Sequence, residues 1–466
     1  MDSARTDADP VAAAIAALRH NVHYLGAIAQ MAEQCEVVTV APVVSDRGVV
    51  VLDKGTRIGR NLLELLGEHR LPVALDTLLS VSEPVDIGTL YVELNRLVAD
   101  HPLGRLLASE LGSDAVVLGR ALRSMTWPAQ AAFTMAVVRT QLPSLFEHSV
   151  LMAMVAMFLA IRAGWDDKQC AKVAAAGLLH DVGMLYMSAS WTNAEYRLTD
   201  RERAQLTAHS ITGSMVVQSM KAYPHSVEDA VLEHHEHLDG SGYPRHLQGD
   251  AISPMGRMLM VAEVVSAFFG KYEHMAGARL SLALRLNARR FPPEQVSPVL
   301  AMLQRDAVDD ADFPHAVVLR DCQRVATVLQ YWASCKRVLP PQWQGQAGGR
   351  AAVLVDARMR ALEVSLVESG AQVRTPAEWQ VLFDQDPRNA LELGLIHREA
   401  LWQIQSCIDT CLRRWPPLSA PQQPPASAMV ERALWTWLHS SLRVLQTDAA
   451  PASSRTESTP AAPAAQ

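Results

Sequence analysis

The sequence predicts a mainly α-helical protein with a small mixed α/β domain at the N-terminus, an all-helical central bundle and a helical C-terminal extension. Hydrophobic residues make up 49% of the chain but aromatic residues only 6%, and Ala, Leu and Val dominate the apolar content. Helix-capping patterns recur through the central region without a strand period. Because 466 residues are too many for one ordinary hydrophobic core, we expect two or three domains.

A small mixed module is expected in residues 1–84. A helical pattern from Pro10 to about Gln34 gives way to β-branched runs on either side of the turn-like Asp46-Arg47-Gly48. Residues 85–142 are expected to form a connector of short helices, with breaks near Asp100, Gly112 and Pro128.

The central region, residues 143–305, is expected to be a run of helices whose starts carry capping residues. A side-chain oxygen just before a helix accepts a hydrogen bond from a free backbone N–H of the first turn. Four starts are predicted, at Asp166, at Thr199 with Glu202, at Ser226 with Asp229, and at Ser253 followed by Pro254. The first of these helices ends at His180-Asp181, and the second carries His209. The third ends at His234-His235, and the fourth is the apolar run RMLMVAEVVSAFF.

The C-terminal extension, residues 306–447, is predicted to be mostly helical, with a short strand at AAVLV (351–355) and a last helix from Met429 to Leu445. Residues 448–466 are rich in Pro, Ala and Ser, and such segments bury too little apolar surface to fold. We expect a disordered tail there. The extension carries no chemical motif that would indicate its role.

Charge and composition narrow the function classes. The formal net charge is -7 and no long basic run occurs, which argues against a nucleic-acid polymer as ligand. The six cysteines lack zinc-type spacing and suit a reducing cytoplasm. The acidic N-terminus differs from a secretory signal, and the most apolar stretch, residues 150–161, is about 12 residues long whereas a membrane span needs about 20. We therefore expect a cytoplasmic protein without a membrane span.

Seven residues of the central region form a candidate metal site: His148, His180, Asp181, His209, His234, His235 and Glu263. Imidazole and carboxylate ligands without a nearby thiol favour iron or manganese, with zinc and nickel as open alternatives. A carboxylate flanked by histidines can bridge two ions about 3.5–4 Å apart, an arrangement suited to phosphodiester hydrolysis. Glu263 in particular indicates a cation, because an unpaired carboxylate inside an apolar helix would be costly.

A structural interpretation competes with the metal site at each position. A single helical histidine such as His148 or His209 is more often a structural or surface residue. The pair His180-Asp181 can simply end a helix, and His234-His235 can form an exposed turn. The metal site is favoured by the seven residues taken together, because all of them fall within one helical region in a known order and spacing.

The order and spacing of these residues resemble those of a known protein family. The blocks HSVLMAMVAMFLA, LLHDVGM, AHSITG, HHEHLDGSGYP and GRMLMVAEVVSAF resemble the HD-GYP family of the HD phosphohydrolase superfamily, whose distinguishing element is the loop DGSGYP. The resemblance implies a helical HD-type bundle that holds metal ions and hydrolyses cyclic di-GMP to the linear dinucleotide, in some members onward to GMP. By position it makes the seven residues metal ligands, with Asp181 bridging and with His180 and Asp181 as the catalytic pair.

The resemblance also assigns a substrate-binding set: Gly240, Gly242, Tyr243, Pro244 and Lys271. The glycines permit close backbone approach and positive φ, and Tyr243 is expected to pack or hydrogen-bond near the site. Lys271 is expected to replace in part an arginine that the family places after its last helix. A plain surface turn is the alternative interpretation of the loop.

Three positions depart from the family pattern. Glu263 stands where the family usually has Asp, Met184 replaces the lysine of the HD-x-G-K motif, and Ser144 replaces a glutamate found in members with three metals. The lost cation at Met184 is expected to weaken substrate binding or transition-state stabilisation. Because Ser144 cannot replace that glutamate, we expect two divalent ions.

The sequence supports an enzyme that hydrolyses cyclic di-GMP with an iron or manganese centre. The alternative is a weakly active or inactive domain that serves as a cyclic di-GMP receptor or protein-interaction module, which Met184 and Glu263 favour. A third hypothesis keeps the fold but changes the substrate to another nucleotide or phosphoester, and the GYP loop argues against it. The expected partners are cyclic di-GMP and either a second copy of the chain or another signalling protein.

Overall fold

The computed structural model describes residues 15, 18–66, 69–192, 199, 202, 205–272, 276–303, 314–372, 375–385, 388–419 and 429–446. These residues are mostly helical with a few short strands, so the predicted fold class is confirmed. The chain divides into two compact units, Met1–Ala307 and Val308–Gln466. The finer domain boundaries proposed from the sequence stay predictions.

The mixed N-terminal module has one long helix and two small sheets. Its elements are α1 (Val22–Gln34), β1 (Val37–Thr39), β2 (Val43–Val44), β3 (Val50–Leu52), α2 (Leu62–Leu66) and β4 (Leu79–Val81). Strand β1 pairs antiparallel with β4, and β2 with β3. The hairpin turn lies at the predicted place, with Gly48 at φ +78°, a conformation that glycine adopts without strain. The predicted helix start at Pro10 lies outside the described residues.

The connector consists of short helices, as predicted. These are α3 (Ile87–Asp100), α4 (Pro102–Leu111), α5 (Val116–Ser124) and α6 (Ala129–Gln141). Helix α3 ends at Asp100, Gly112 follows α4 with φ +55°, and Pro128 stands just before α6.

The central helices surround a very apolar core. They are α7 (Pro143–Arg162), α8 (Asp167–Leu179), α9 (His209–Ser219), α10 (His225–Glu233), α11 (Pro254–Lys271), α12 (Ala276–Leu286) and α13 (Pro293–Leu303). Helix α7 is long and apolar enough to cross a membrane, longer than the stretch predicted from the sequence. Because 72% of its most apolar window is buried inside the protein, it has the character of a core helix, which is expected to be apolar all round.

Two of the four predicted caps are confirmed, and each starts a helix that carries site residues. Asp166 caps α8 through the Gln169 N–H in a capping box, and Ser253 caps α11 through the Gly256 N–H. Thr199 and Glu202 form their reciprocal hydrogen bonds, but the helix that carries His209 begins at His209 itself. The cap predicted at Ser226 is wrong, because α10 already begins at His225.

The C-terminal unit contains helices α14 (His315–Arg337), α15 (Gly349–Glu368), α16 (Pro376–Gln385), α17 (Arg388–Arg414) and α18 (Met429–Gln446). The strand predicted at 351–355 is wrong, because these residues lie inside α15. The buried residues of α15 recur at helical spacing, at Ala351, Ala352, Val355, Met359, Leu362 and Leu366, so the apolar period continues past the short β-branched run. The last helix agrees with its prediction, whereas residues 448–466 lie outside the described residues.

Candidate metal centre

The seven predicted ligands converge from five separate segments of the central region. They fall into two groups, and within each group the ligand atoms all lie within 4.8 Å of one another. The first group is Asp181, His209, His234 and His235, and the second is His148, His180 and Glu263. The alternative interpretations as scattered surface residues are therefore not supported by the geometry.

Asp181 faces both groups at once. Its Oδ1 lies 3.1 Å from His209 Nε2 and 3.6 Å from His234 Nε2, while its Oδ2 lies 3.4 Å from His180 Nε2. Across the second group, Glu263 Oε2 lies 3.0 Å from His148 Nε2 and 3.4 Å from His180 Nε2. One oxygen directed to each group is the geometry that a bridging carboxylate requires.

The local helix geometry orients three of the imidazoles. His180, His209 and His234 each place Nδ1 2.6–2.8 Å from a backbone carbonyl three residues earlier. A hydrogen bond from Nδ1–H leaves a lone pair on Nε2, as in metal-ligating histidines that are fixed by a carbonyl behind them. All three Nε2 atoms consequently face the cluster, where each can hold either a proton or a metal ion.

The cluster contains buried polar atoms that lack hydrogen-bond partners. His180 Nε2 and Asp181 Oδ1 form no hydrogen bond of good geometry, although oppositely charged neighbours lie within 3.4 Å, and His209 Nε2 faces His234 Nε2 at 3.3 Å. Lone pairs directed at each other in a buried site are unfavourable unless a proton or a metal ion lies between them. The residues present therefore fit a pair of cations held by nitrogen and oxygen donors.

The electrostatics of the cluster also attract positive charge. Burial would raise the pKa of Asp181, but His180 and His209 outweigh it and hold that pKa well below its ordinary value. Burial likewise opposes ionisation of Glu263, and His148 and His180 lower its pKa well below the usual range. Burial lowers the pKa of His180, yet Asp181 and Glu263 prevail and raise it to about 10. Two carboxylates thus remain ionised in a buried site, where opposite charge stabilises them.

The DGSGYP loop lies beside the first group. The Tyr243 ring packs against His235, with ring centroids 4.6 Å apart, and Gly240 has φ +76°. A Cβ on Gly242 would lie 2.4 Å from the Glu236 Cα, so glycine is needed for this close approach. The peptide bond before Pro244 is cis. Among the described residues, Lys271 lies over the Tyr272 ring, and its predicted role at the substrate stays a prediction.

Sequence reasoning missed Glu236, which holds this loop in place. Its side chain is fully buried and accepts hydrogen bonds from the backbone N–H groups of Arg245, at 2.7 Å, and Leu247, at 2.9 Å. The signal was its position directly after the double histidine, where an acidic residue suggests a loop-fixing acceptor as readily as a surface charge.

Met184 lies in a groove formed with the N-terminal module, and its backbone N–H donates to the Asp181 carbonyl at 2.9 Å. The groove, about 290 Å³ in volume, is lined by Met184 and Met187 together with residues of α1 and with Gln141. The position of the family's lysine is therefore occupied by an uncharged thioether next to α1.

Comparisons with known proteins give matches over the same central region that contains the seven candidate ligands. Residues 133–289 match the family model described as an HD domain. A cyclic di-GMP phosphodiesterase from Pseudomonas aeruginosa is 30% identical over 32% of this chain and 37% of its own length. A 3'3'-cGAMP-specific phosphodiesterase from Vibrio cholerae is 34% identical over 26% of this chain and 28% of its own length. The chain thus spans about a third of the curated relatives that it matches.

A solved structure of an HDG"Y"P protein from Bdellovibrio bacteriovorus is also similar, at a TM-score of 0.32 and 16% identity over 58% of this chain and 94% of that one. A likeness of that strength carries no argument about this chain.

Proposed function

Because residues 133–289 match an HD domain, we propose that the central region belongs to the HD-GYP family and that the protein is a metal-dependent phosphodiesterase that hydrolyses cyclic di-GMP, mainly to the linear dinucleotide. The observation that carries the proposal is Asp181, which directs one carboxylate oxygen to each of two ligand groups. The similarity to cyclic di-GMP phosphodiesterases over the same region supports this choice of substrate.

Each side chain contributes to this chemistry in a defined way. Two divalent ions held at this site would supply Lewis acidity, which would neutralise phosphate charge and lower the pKa of water. Asp181, Glu263 and the five imidazoles would hold the ions, with one Asp181 oxygen facing each ligand group, and the backbone carbonyls behind His180, His209 and His234 keep those rings aimed at the site. Such preorganised ligands need little rearrangement during reaction.

The GYP loop is proposed to hold the substrate. Burial raises the pKa of the Tyr243 phenol, so the hydroxyl stays protonated and can donate a hydrogen bond to a phosphate oxygen. Gly240, Gly242 and Pro244 shape the loop that presents this ring, and Lys271 is proposed as the cationic contact. The nitrogen and oxygen donors favour iron or manganese, and a cytoplasmic location and a protein partner remain predictions.

The first test measures metal content and turnover together, on full-length protein purified without oxygen. We expect two iron or manganese ions per chain and conversion of cyclic di-GMP to the linear dinucleotide, with activity lost on chelation and restored by the metal. Assays with 3'3'-cGAMP should run in parallel, because a relative is specific for that dinucleotide. Bound metal without product from either substrate would replace the enzyme proposal with the receptor alternative.

A second test restores the missing cation through Met184→Lys. If the thioether limits phosphate binding, turnover of cyclic di-GMP should rise roughly tenfold, equivalent to about 1.4 kcal/mol of added transition-state stabilisation. Met187→Lys is a matched control, because it adds the same charge to the same groove. An unchanged rate in Met184→Lys, or an equal rise in both variants, would contradict the role assigned to this position.

A further inference from the structure

A buried carboxylate, Glu233, lies directly before the double histidine His234-His235 and is not among the seven candidate ligands. It is the last residue of α10, and it is only 3% exposed. A charged side chain in such a place is stable only when it is paired and hydrogen-bonded. The contacts of Glu233 therefore show which segments of the domain it holds together.

Both carboxylate oxygens of Glu233 bind the chain that follows the DGSGYP loop. Oε1 accepts a hydrogen bond from the Arg245 guanidinium, which also forms an ion pair with it. Oε2 accepts a 2.9 Å hydrogen bond from the backbone N–H of Ser253, the N-cap residue of α11. Gly256 in the first turn of α11 leaves room for this oxygen, since a Cβ there would clash with it. One side chain therefore joins the end of α10 to the loop and to the helix that bears Glu263.

The loop that Glu233 holds lies against the first ligand group. Tyr243 is two residues before Arg245, its backbone N–H donates a 3.0 Å hydrogen bond to the His235 carbonyl, and its ring packs on the His235 imidazole. Arg245 is fixed at both ends, because Glu236 binds its backbone N–H and Glu233 binds its side chain. A shift of Arg245 would therefore move Tyr243 relative to the candidate metal ligands.

We propose that Glu233 is a positioning residue, which keeps Tyr243 oriented toward a bound phosphodiester by holding Arg245 and the start of α11. It acts through the loop, because both of its oxygens are already engaged by Arg245 and Ser253. This role rests on the function proposed above, in which Tyr243 donates a hydrogen bond to a phosphate oxygen. Removing the charge of Glu233 would release the half-exposed Arg245 side chain and give the loop more freedom.

Hydrogen exchange of the full-length protein, followed in peptides that cover residues 237–249, tests this role without an assay of activity. The amide of Glu233→Gln can still accept from Ser253, but it cannot form the ion pair with Arg245. We expect the backbone N–H groups of Tyr243 and Arg245 to exchange about tenfold faster, because hydrogen bonds to charged groups are the stronger ones. The core helices α7 and α8 should exchange at the parent rate. Asp229→Asn is the matched control, because it removes a carboxylate from an exposed position of the same helix.

Steady-state kinetics with cyclic di-GMP give a second readout. Glu233→Gln and Arg245→Gln should each raise KM about tenfold and change kcat by less than about twofold, because a substrate contact is weakened while the metal ligands stay in place. Metal content should equal that of the parent. The double variant should be no worse than either single variant, since both single variants remove the same contact.

Three results would overturn the positioning role: loop exchange at the parent rate in both single variants, additive effects on KM in the double variant, or faster exchange throughout the domain. The last would mark Glu233 as a general stabiliser, because local opening confined to the loop is what a positioning contact prevents. A parent protein without turnover would contradict the proposed function, whereas the exchange data would still decide whether Glu233 holds the loop. If Glu233→Gln does not fold, Arg245→Gln decides, because Arg245 is half-exposed and Glu233 keeps its Ser253 partner.

Discussion

Replacing Asp181 with Asn is expected to abolish metal loading at the paired site and, with it, hydrolysis of cyclic di-GMP. Asn has the same size, but it lacks the charge and the second oxygen that let Asp181 face His209 on one side and His180 on the other. Loss of an outer-shell partner typically costs about 10–100-fold in metal affinity or activity, so loss of the bridge itself should cost more. Elemental analysis and an initial-rate assay on the same preparation measure both effects.

A matched control for this variant is Asp250→Asn in the same domain. The Asp250 side chain is fully exposed and pairs with Arg257, and exposed ion pairs contribute little to stability. The control should keep its metal and its rate. An Asp181→Asn protein that retained two ions per chain and near-normal turnover would refute the bridging role and, with it, the proposed mechanism.

Much of this site could be predicted from sequence because its signals are local. Capping at Asp166 and Ser253 fixes the phase of α8 and α11, and that phase determines where His180, Asp181 and Glu263 lie. The GYP loop was predicted from its resemblance to the family motif, and the structure gives a physical reason for its glycine, since Gly242 has no room for a side chain. The cap expected at Ser226 was wrong because the helix starts two residues earlier than that cap implies, at His225, with Pro224 at the N-cap.

Other features depend on contacts between distant segments, which a single sequence does not reveal. The burial of Asp76 against Tyr24 and Gln130 joins residues more than 50 positions apart in the chain. Met184 is a second example, because it lines a groove with residues of α1 that no local sequence pattern places beside it. In α15 the error was one of period, because the run Ala-Ala-Val-Leu-Val resembled a strand until the following turns of the helix were included.

Gly183→Ala is expected to destabilise the fold and to disrupt the metal centre together. A Cβ at this position would lie 2.0 Å from the His209 carbonyl oxygen and 2.8 Å from the Gly213 nitrogen. Both are backbone atoms, so no side chain can rotate away to relieve the clash. Overpacking typically costs about 1–3 kcal/mol and occasionally more, and we expect the upper end of that range or beyond.

The same clash would push α9 away from the segment that follows the His180-Asp181 pair. We therefore expect Gly183→Ala to lower the rate of hydrolysis by more than the loss of folded protein alone would explain. His209 is the first residue of α9, and its Nε2 lies only 3.1 Å from Asp181 Oδ1, so a shift of the helix separates the two ligands. Gly270→Ala is the matched control, because a Cβ there meets nothing within 4 Å and alanine favours the helix by roughly 0.5–1 kcal/mol. Thermal unfolding should therefore show Gly183→Ala melting below the parent and Gly270→Ala at or above it, with metal content reduced only in the former. Equal melting temperatures and equal metal content in the two variants would show that α9 does not need this close approach to position His209.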